Sequence, residues 1–488
     1  VRGWSLLLVI LLPAALLYPT RSFRLLEPDE GRYAQIAREM FDRGEWVVPT
    51  LQSEPYLDKP PLLYWSVMLC YRCFGVSDAA ARIVPAISVH LTILLLYLIG
   101  RRNVGERSAF WGALLLCVAP GFLGMGRLLI LDGLLTLWVT LSLLAGFEAI
   151  RAEKLRCRWW LLAAVACGLG VLTKGPIAIV LLVVPLIAHR WLSGQRVPIG
   201  WRQWLAFFGV VFAVNLPWYA AILLREPVFL RHFLWEHNVL RFLQPFDHLQ
   251  PVWYYLPILI GGLLPATLLL WSFGRFLLSG DEVVARLRTP QLGFWLLAGA
   301  WCVLFFSLSG SKLPTYILPA FPPLFLALGY FVAHSRWNES AWTKGGIAVM
   351  AGVLAFGFYV AIPHYAEARS PMVKPDIVQR YCADPATTLI CYPRNCDSVA
   401  FYLGRDDLRN VRSKLAQTLV EDMLTRPRTV VLFTHRHSLE ALRSVLPPRL
   451  RIVETVSLRH SEGNGLLDRL LGDGPWGLSE IAVVDRVN

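Results

Sequence analysis

Along this chain, apolar stretches long enough to cross a bilayer alternate with short polar ones. Apolar runs near 3–19, 79–100, 107–124, 129–150, 159–173, 176–193, 203–224, 252–273, 291–308, 313–333 and 345–363 reach or approach the roughly 17–25 residues of a membrane-spanning helix. They predict about eleven spans. A break around Gly121 to Arg127 and several short amphipathic pieces take the upper count to about thirteen. The first run, Arg2 to Tyr18, starts like a signal peptide, with a basic residue ahead of an apolar core. No small-residue cleavage site follows it, so an uncleaved first helix is expected.

The loops between the runs alternate in character. One set is basic: Arg101, Arg102 and Arg107; Arg151, Lys154, Arg156 and Arg158; Arg190, Arg196 and Arg202; Arg275, Arg286 and Arg288; Arg336 and Lys344. Positive charge favours the cytoplasmic side, which sends the other set outward: 20–78, 125–128, 174–175, 225–251, 309–312 and everything after 364. Within the outward loops, 28–43, Leu62 to Phe74 and 227–242 read as short amphipathic helices at the membrane surface.

After about residue 366 the pattern changes. Thr388 to Tyr392, Thr429 to Thr434, Arg451 to Ser457 and Glu480 to Val484 read as strands, with helices at Leu415 to Leu424 and Ser438 to Val445 between them. The predicted organisation is a polytopic α-helical membrane domain over 1–363 and a small α/β extracytoplasmic domain over 364–488.

Composition agrees with the pattern. Hydrophobic residues make up 56% of the chain and charged residues 17%, below the roughly 25% of soluble proteins. The net charge of +13 fits basic cytoplasmic loops beside anionic lipid; with no nucleic-acid-binding motif present, nucleic acid is not an expected partner. The nine cysteines have no zinc-site spacing; Cys382, Cys391 and Cys396 lie in the polar tail, where one disulfide is allowed if the tail is extracytoplasmic.

Six polar segments fall in the outward set or at helix ends touching it: Asp29-Glu30, Tyr56 to Lys59, Asp132, Lys174, His237 to Arg241 and Lys312. Charges within apolar runs are expensive unless paired, placed at helix ends or used in a site. Asp29 and Glu30 could simply cap a helix. Capping does not account for Arg32 beside them, or for the similar grouping at Tyr56-Leu57-Asp58-Lys59. Two carboxylate-plus-cation clusters suit a site that handles a phosphate and a hydroxyl. Asp132 needs a partner, a metal or the water boundary, whereas Lys174 and Lys312 can reach water along their own stems. His237 and Arg241 share a face if their segment is an α-helix.

Asp29-Glu30-x-Arg32-Tyr33-Ala34, Tyr56-x-x-Lys59-Pro60-Pro61 with Tyr64-Trp65, the intramembrane Asp132, and Lys312-Leu313-Pro314-Thr315-Tyr316-Ile317-Leu318-Pro319 together resemble the aminoarabinose transferases. These belong with the protein O-mannosyltransferase-like integral-membrane (GT-C) glycosyltransferases. The resemblance covers about residues 20–330. It implies a GT-C fold in a bacterial inner membrane. The implied activity is inverting transfer of a sugar from an undecaprenyl-phosphate donor to an envelope acceptor, lipid A or another glycan, on the outer side.

The resemblance further implies Asp29 and Asp132 at the reaction centre. Arg32, Tyr56, Lys59, Arg241 and Tyr316 would lie around the donor phosphate. Glu30, Tyr33, Lys174 and Lys312 are further site candidates. Asp58, standing where the family carries a glutamate, and His237 are implied ligands of a divalent zinc or magnesium ion. Expected partners are the polyprenyl-phosphate sugar, a lipid or glycan acceptor and membrane lipids. Three other readings remain open: mannosyl transfer to a protein hydroxyl, a lipid-linked sugar transporter, and a binding protein whose tail is the active part.

Overall fold

A computed structural model of the protein describes residues 2–193, 199–244, 247–413, 415–435, 437–458 and 480–487. Among them, eight helical segments are long and apolar enough to cross a membrane, and two bent helix pairs bring the number to ten. The chain is a polytopic α-helical membrane protein with a small sheet domain near its C-terminal end. All eleven apolar runs become helical. Ile177–Ser193 is shorter than the eight full-length spans, and the runs at 107–124 and 252–273 are broken, bending by 60° and 101°.

The residues divide into two compact units. The first comprises Val1–Pro19, Leu57–Ser66 and Arg82–Ala355. At its centre lie Leu131–Ile150, with 89% of its apolar window buried, and Pro314–Ala333, with 83%; Trp201–Arg225, at 28%, keeps most of its surface for lipid. Helices approach closely where side chains are missing. A Cβ on Gly329 would lie 2.2 Å from the Gly112 nitrogen, and one on Gly121 would lie 2.6 Å from the Gly262 Cα. Small residues allow such backbone contact, on which membrane helices rely for packing. Among the basic loops, the buried Glu148 carboxylate takes Arg102 at 3.2 Å, Arg151 at 2.6 Å, and Arg156.

The second unit comprises Thr20–Tyr56, Val67–Ala81 and Phe356–Asn488. Its N-terminal part holds the helix Asp29–Arg43 and a hairpin of β1 (Thr50–Leu51) and β2 (Glu54–Pro55). The hairpin turns through Gln52 and Ser53, both at positive φ. The buried Glu39 carboxylate accepts both their amides, at 2.8 and 3.2 Å.

The tail contributes β3 (Thr388–Tyr392), β4 (Arg409–Asn410), β5 (Arg428–Phe433), β6 (Leu450–Ser457) and β7 (Glu480–Arg486), in spatial order β4-β3-β5-β7-β6. β3 runs parallel to β4 and β5, whereas β7 is antiparallel to β5 and β6. Alternate residues of the central strands feed two cores. Leu389, Cys391, Val430 and Leu432 face one side, while Ile390, Tyr392, Val431 and Phe433 face the other. This double burial is why these strands read as continuous apolar runs. The helices observed at Ala416–Leu424 and Ser438–Val445 match those expected.

Candidate functional site

In the first unit, polar side chains gather in two places. One is built on the loop that follows Tyr56 and on the segment Arg231–Leu240. That segment is a π-helix followed by a single α-turn, Arg241–Leu243. An α-helix would put residues five apart on different faces. The wider π pitch aligns them, and His232 and His237 stand with ring centroids 4.6 Å apart. Both reach Asp58: its Oδ1 lies 3.0 Å from His232 Nε2 and 3.2 Å from His237 Nε2. The second ring nitrogen of His232, Nδ1, lies 3.1 Å from Glu236 Oε2. Burial pushes the Asp58 carboxyl up, but the His232 hydrogen bond and the charges of His237, Lys59 and His232 outweigh it and hold the group below its ordinary value.

These three residues fit a metal. Their ligand atoms lie within 4.8 Å of one another. Separations of 3.0 and 3.2 Å approach the roughly 3.3 Å between neighbouring ligands of a tetrahedral ion bound at about 2.0–2.1 Å. Two imidazoles and one carboxylate suit zinc better than magnesium, which prefers oxygen throughout. Glu236 stands where a supporting carboxylate orients a ligating histidine.

The second gathering surrounds Asp132, in the first turn of Leu131–Ile150 and almost fully buried. Lys174, the last residue of Cys157–Lys174, forms an ion pair with its Oδ1. Thr315 Oγ1 donates to its Oδ2 at 3.2 Å. The Lys174 ammonium also lies 4.3 Å from the centroid of the Tyr316 ring, which it faces in a cation–π contact. Three spans thus converge on one neutral pair, which lowers the cost of charge at this depth. Gly175 ends the lysine's helix at φ 96° and presses on the π-helix: a Cβ there would meet the Phe233 ring at 2.7 Å. The two gatherings are therefore joined where the Gly175 backbone packs on the Phe233 ring.

Lys312 lies apart from both groups in its hydrogen bonding. Its ammonium donates to the carbonyls of Gln250, at 2.9 Å, and Ser309, and so fastens loop 247–250 to loop 309–312. The side chain of Arg241 lies outside the described residues.

In the second unit, Arg32 Nη1 lies 3.2 Å from Asp29 Oδ1. Burial works against the guanidinium charge, but neighbouring Tyr56, Tyr33, Asp29 and Asp397 more than compensate and raise its pKa. Glu30 is almost fully buried and accepts the Leu26 amide at 3.0 Å; this ties down the chain ahead of the helix, whose own first-turn amides take no side-chain cap, so the capping expected of Asp29 or Glu30 is not what either side chain does. Tyr33 is buried in the same helix. Glu27 accepts the Ser398 amide at 2.6 Å. Burial, then the charge of Asp397, push its carboxyl up to about 8 against the opposing pull of Ser398 and Arg32.

Sequence reasoning missed His232, Thr315 and Glu27. Thr315 stands inside the Lys312 to Pro319 motif and Glu27 two residues before the one that starts at Asp29, and a polar residue in or beside such a motif was the available clue. For His232 the clue was a second histidine five positions before His237, invisible to an α-helical reading.

The family model for dolichyl-phosphate-mannose-protein mannosyltransferases matches residues 58–218. An undecaprenyl phosphate-alpha-4-amino-4-deoxy-L-arabinose arabinosyl transferase of Pseudomonas aeruginosa is 34% identical over 382 residues, which are 76% of this chain and 67% of that protein. The chain belongs to the aminoarabinose transferase family. Relatives of the same name from Pseudomonas fluorescens and Yersinia enterocolitica are 38% and 36% identical over 68% and 73% of this chain. The chain spans 60% and 64% of their respective lengths.

The fold of this family member is that of ArnT from Cupriavidus metallidurans, solved bound to undecaprenyl phosphate. The TM-score is 0.77, with 21% identity over 98% of each chain. An archaeal oligosaccharyltransferase, AglB from Archaeoglobus fulgidus, shares the architecture at a TM-score of 0.54 and 14% identity, over 88% of this chain and 69% of its own.

Proposed function

We propose that this chain is an inverting glycosyltransferase. It takes a 4-amino-4-deoxy-arabinose-type sugar from undecaprenyl phosphate and delivers it to lipid A or another envelope glycan on the outer side of a bacterial inner membrane. The observation that carries the reading is the 34% identity to the Pseudomonas aeruginosa transferase over 382 residues. The outward orientation is supported by the basic loops. Arg102, Arg151 and Arg156 converge on Glu148, and positive loops favour the cytoplasm.

Each candidate residue has a separable role in this reading. When the donor bond breaks, negative charge grows on the lipid phosphate. Lys59 and Arg32 answer it, one as a point charge and the other through a fork of donors. Asp132, held by Lys174 and Thr315, presents fixed negative charge favourable to an oxocarbenium-like centre. Asp29 takes the proton of a hydroxyl acceptor, or orients an acceptor that is already an anion. Asp58, His232 and His237 would hold a zinc ion, which supplies positive charge and fixes the loop geometry.

The test is mass spectrometry of envelope lipids from a deletion strain complemented with wild type, Asp29→Asn or Lys59→Ala. Loss of an aminoarabinose-sized mass addition in the deletion strain, restored by wild type alone, is expected. An unchanged lipid profile together with loss of a protein-bound hexose would instead favour the protein-acceptor reading that the mannosyltransferase model suggests.

A further inference from the structure

Cys391 and Cys396 flank the Tyr392-Pro393-Arg394-Asn395 turn that leads from β3 into the helix Asp397–Leu403. Three observations bring them together. In the sheet register, Cys391 stands opposite Asn410 of β4. The Asn410 side chain turns back over that pair: its Oδ1 accepts the Cys396 amide at 3.3 Å, and its Nδ2 donates to Asp397 Oδ1 at 2.9 Å. Both thiols sit in one core, Cys391 with no exposed surface and Cys396 with 2%. Both are free thiols in the structure.

We propose that Cys391 and Cys396 are oxidised to a disulfide that closes this turn. The inference rests on the outward placement of the tail under the proposed function, because only an oxidising compartment sustains such a bond. In the step, the two thiols lose two protons and two electrons and one S–S bond forms. The electrons reduce the disulfide of an envelope thiol oxidant to two thiols, by way of a mixed disulfide. The Cys391 thiol, then burial, raise Cys396 well above the ordinary thiol range, so in the folded tail it is not a redox-active nucleophile, and the pair suits a structural bond made while the turn is still open.

The bond has a structural use. It fixes the start of the helix whose Asp397 and Ser398 face Glu27, two residues ahead of Asp29. Cys382 shares the core and is left as the odd thiol.

The test uses the full chain in membranes, carrying alkaline phosphatase fused after the tail. Denatured protein is alkylated with and without prior reduction, and its peptides are identified by mass spectrometry. Active phosphatase, a linked Cys391–Cys396 peptide and an alkylated Cys382 are expected. Cys391→Ser should make Cys396 alkylatable without reduction, while Cys382→Ser should change nothing. Alkylation of both thiols without reduction, with the phosphatase active, overturns the pairing, as does a Cys382–Cys391 link. An inactive phosphatase overturns the outward placement instead. The pairing is then decided on purified protein equilibrated with oxidised glutathione in urea strong enough to open the tail and then dialysed free of it: formation of the 391–396 link upholds it and persistent free thiols overturn it.

Discussion

His232 and His237 face the same carboxylate, Asp58, because the helix that carries them is wound with a π pitch. Zinc content is the direct measure of what that alignment does. His232→Ala and His237→Ala should each purify with much less zinc than wild type by plasma mass spectrometry. Glu236→Gln should keep the ion but bind it about 10–100-fold more weakly, as expected when a supporting carboxylate is lost. Equal metal content in all four proteins would remove the cluster as a metal site.

Lys174 and Asp132 form a buried pair, and the two halves should not be equivalent to the whole. Lys174→Met leaves a carboxylate without its cation and should cost about 3–5 kcal/mol. Asp132→Leu with Lys174→Met removes both charges and should recover much of that loss without restoring activity. Thermal unfolding in detergent, read by tryptophan fluorescence, separates these outcomes. A double variant less stable than Lys174→Met contradicts the pairing.

Gly329 meets the backbone at Gly112, so Gly329→Ala should overpack the interface and cost roughly 1–3 kcal/mol. Gly293 has open space around its Cβ position and serves as the control. A lowered Tm for the first and an unchanged Tm for the second are expected.

Glu27 gives the second unit a pH dependence. Its folded-state pKa of about 8 lies above the ordinary 4.5, so the folded unit prefers the neutral acid. The sign follows: its contribution is complete below pH 4.5 and is lost as pH rises toward 8, at up to ~1.4 kcal/mol per unit. Glu27→Gln should flatten that slope and be the more stable protein at pH 8. Limited proteolysis of the tail across pH 5–9 is the measurement, and a steeper decline in the variant would refute the assignment.

Much of the architecture was legible because burial writes itself into composition. The eleven apolar runs became helices, and β3 appeared with the bounds expected of it, because both of its faces are covered. β4, a two-residue strand, carries no periodicity to detect. The breaks at residues 118–119 and 263–265 fall just before Pro120 and at Pro265, and the first lies beside the break expected around Gly121 to Arg127. The candidate chemistry was legible where charge interrupts hydrocarbon, as at Asp132 and Lys174. It was hidden where it depends on helical pitch, as at His232, or on partners distant in the chain, as when Lys312 fastens residues 250 and 309.

The contact between Gly121 and Gly262 has a consequence for the bilayer. Each glycine belongs to a span that breaks, and an interrupted helix leaves amides and carbonyls that hydrocarbon cannot solvate. Two such interruptions in separate places would present lipid with two defects. With their backbones in touch, each shields its neighbour, and the membrane meets a single seam sealed by protein.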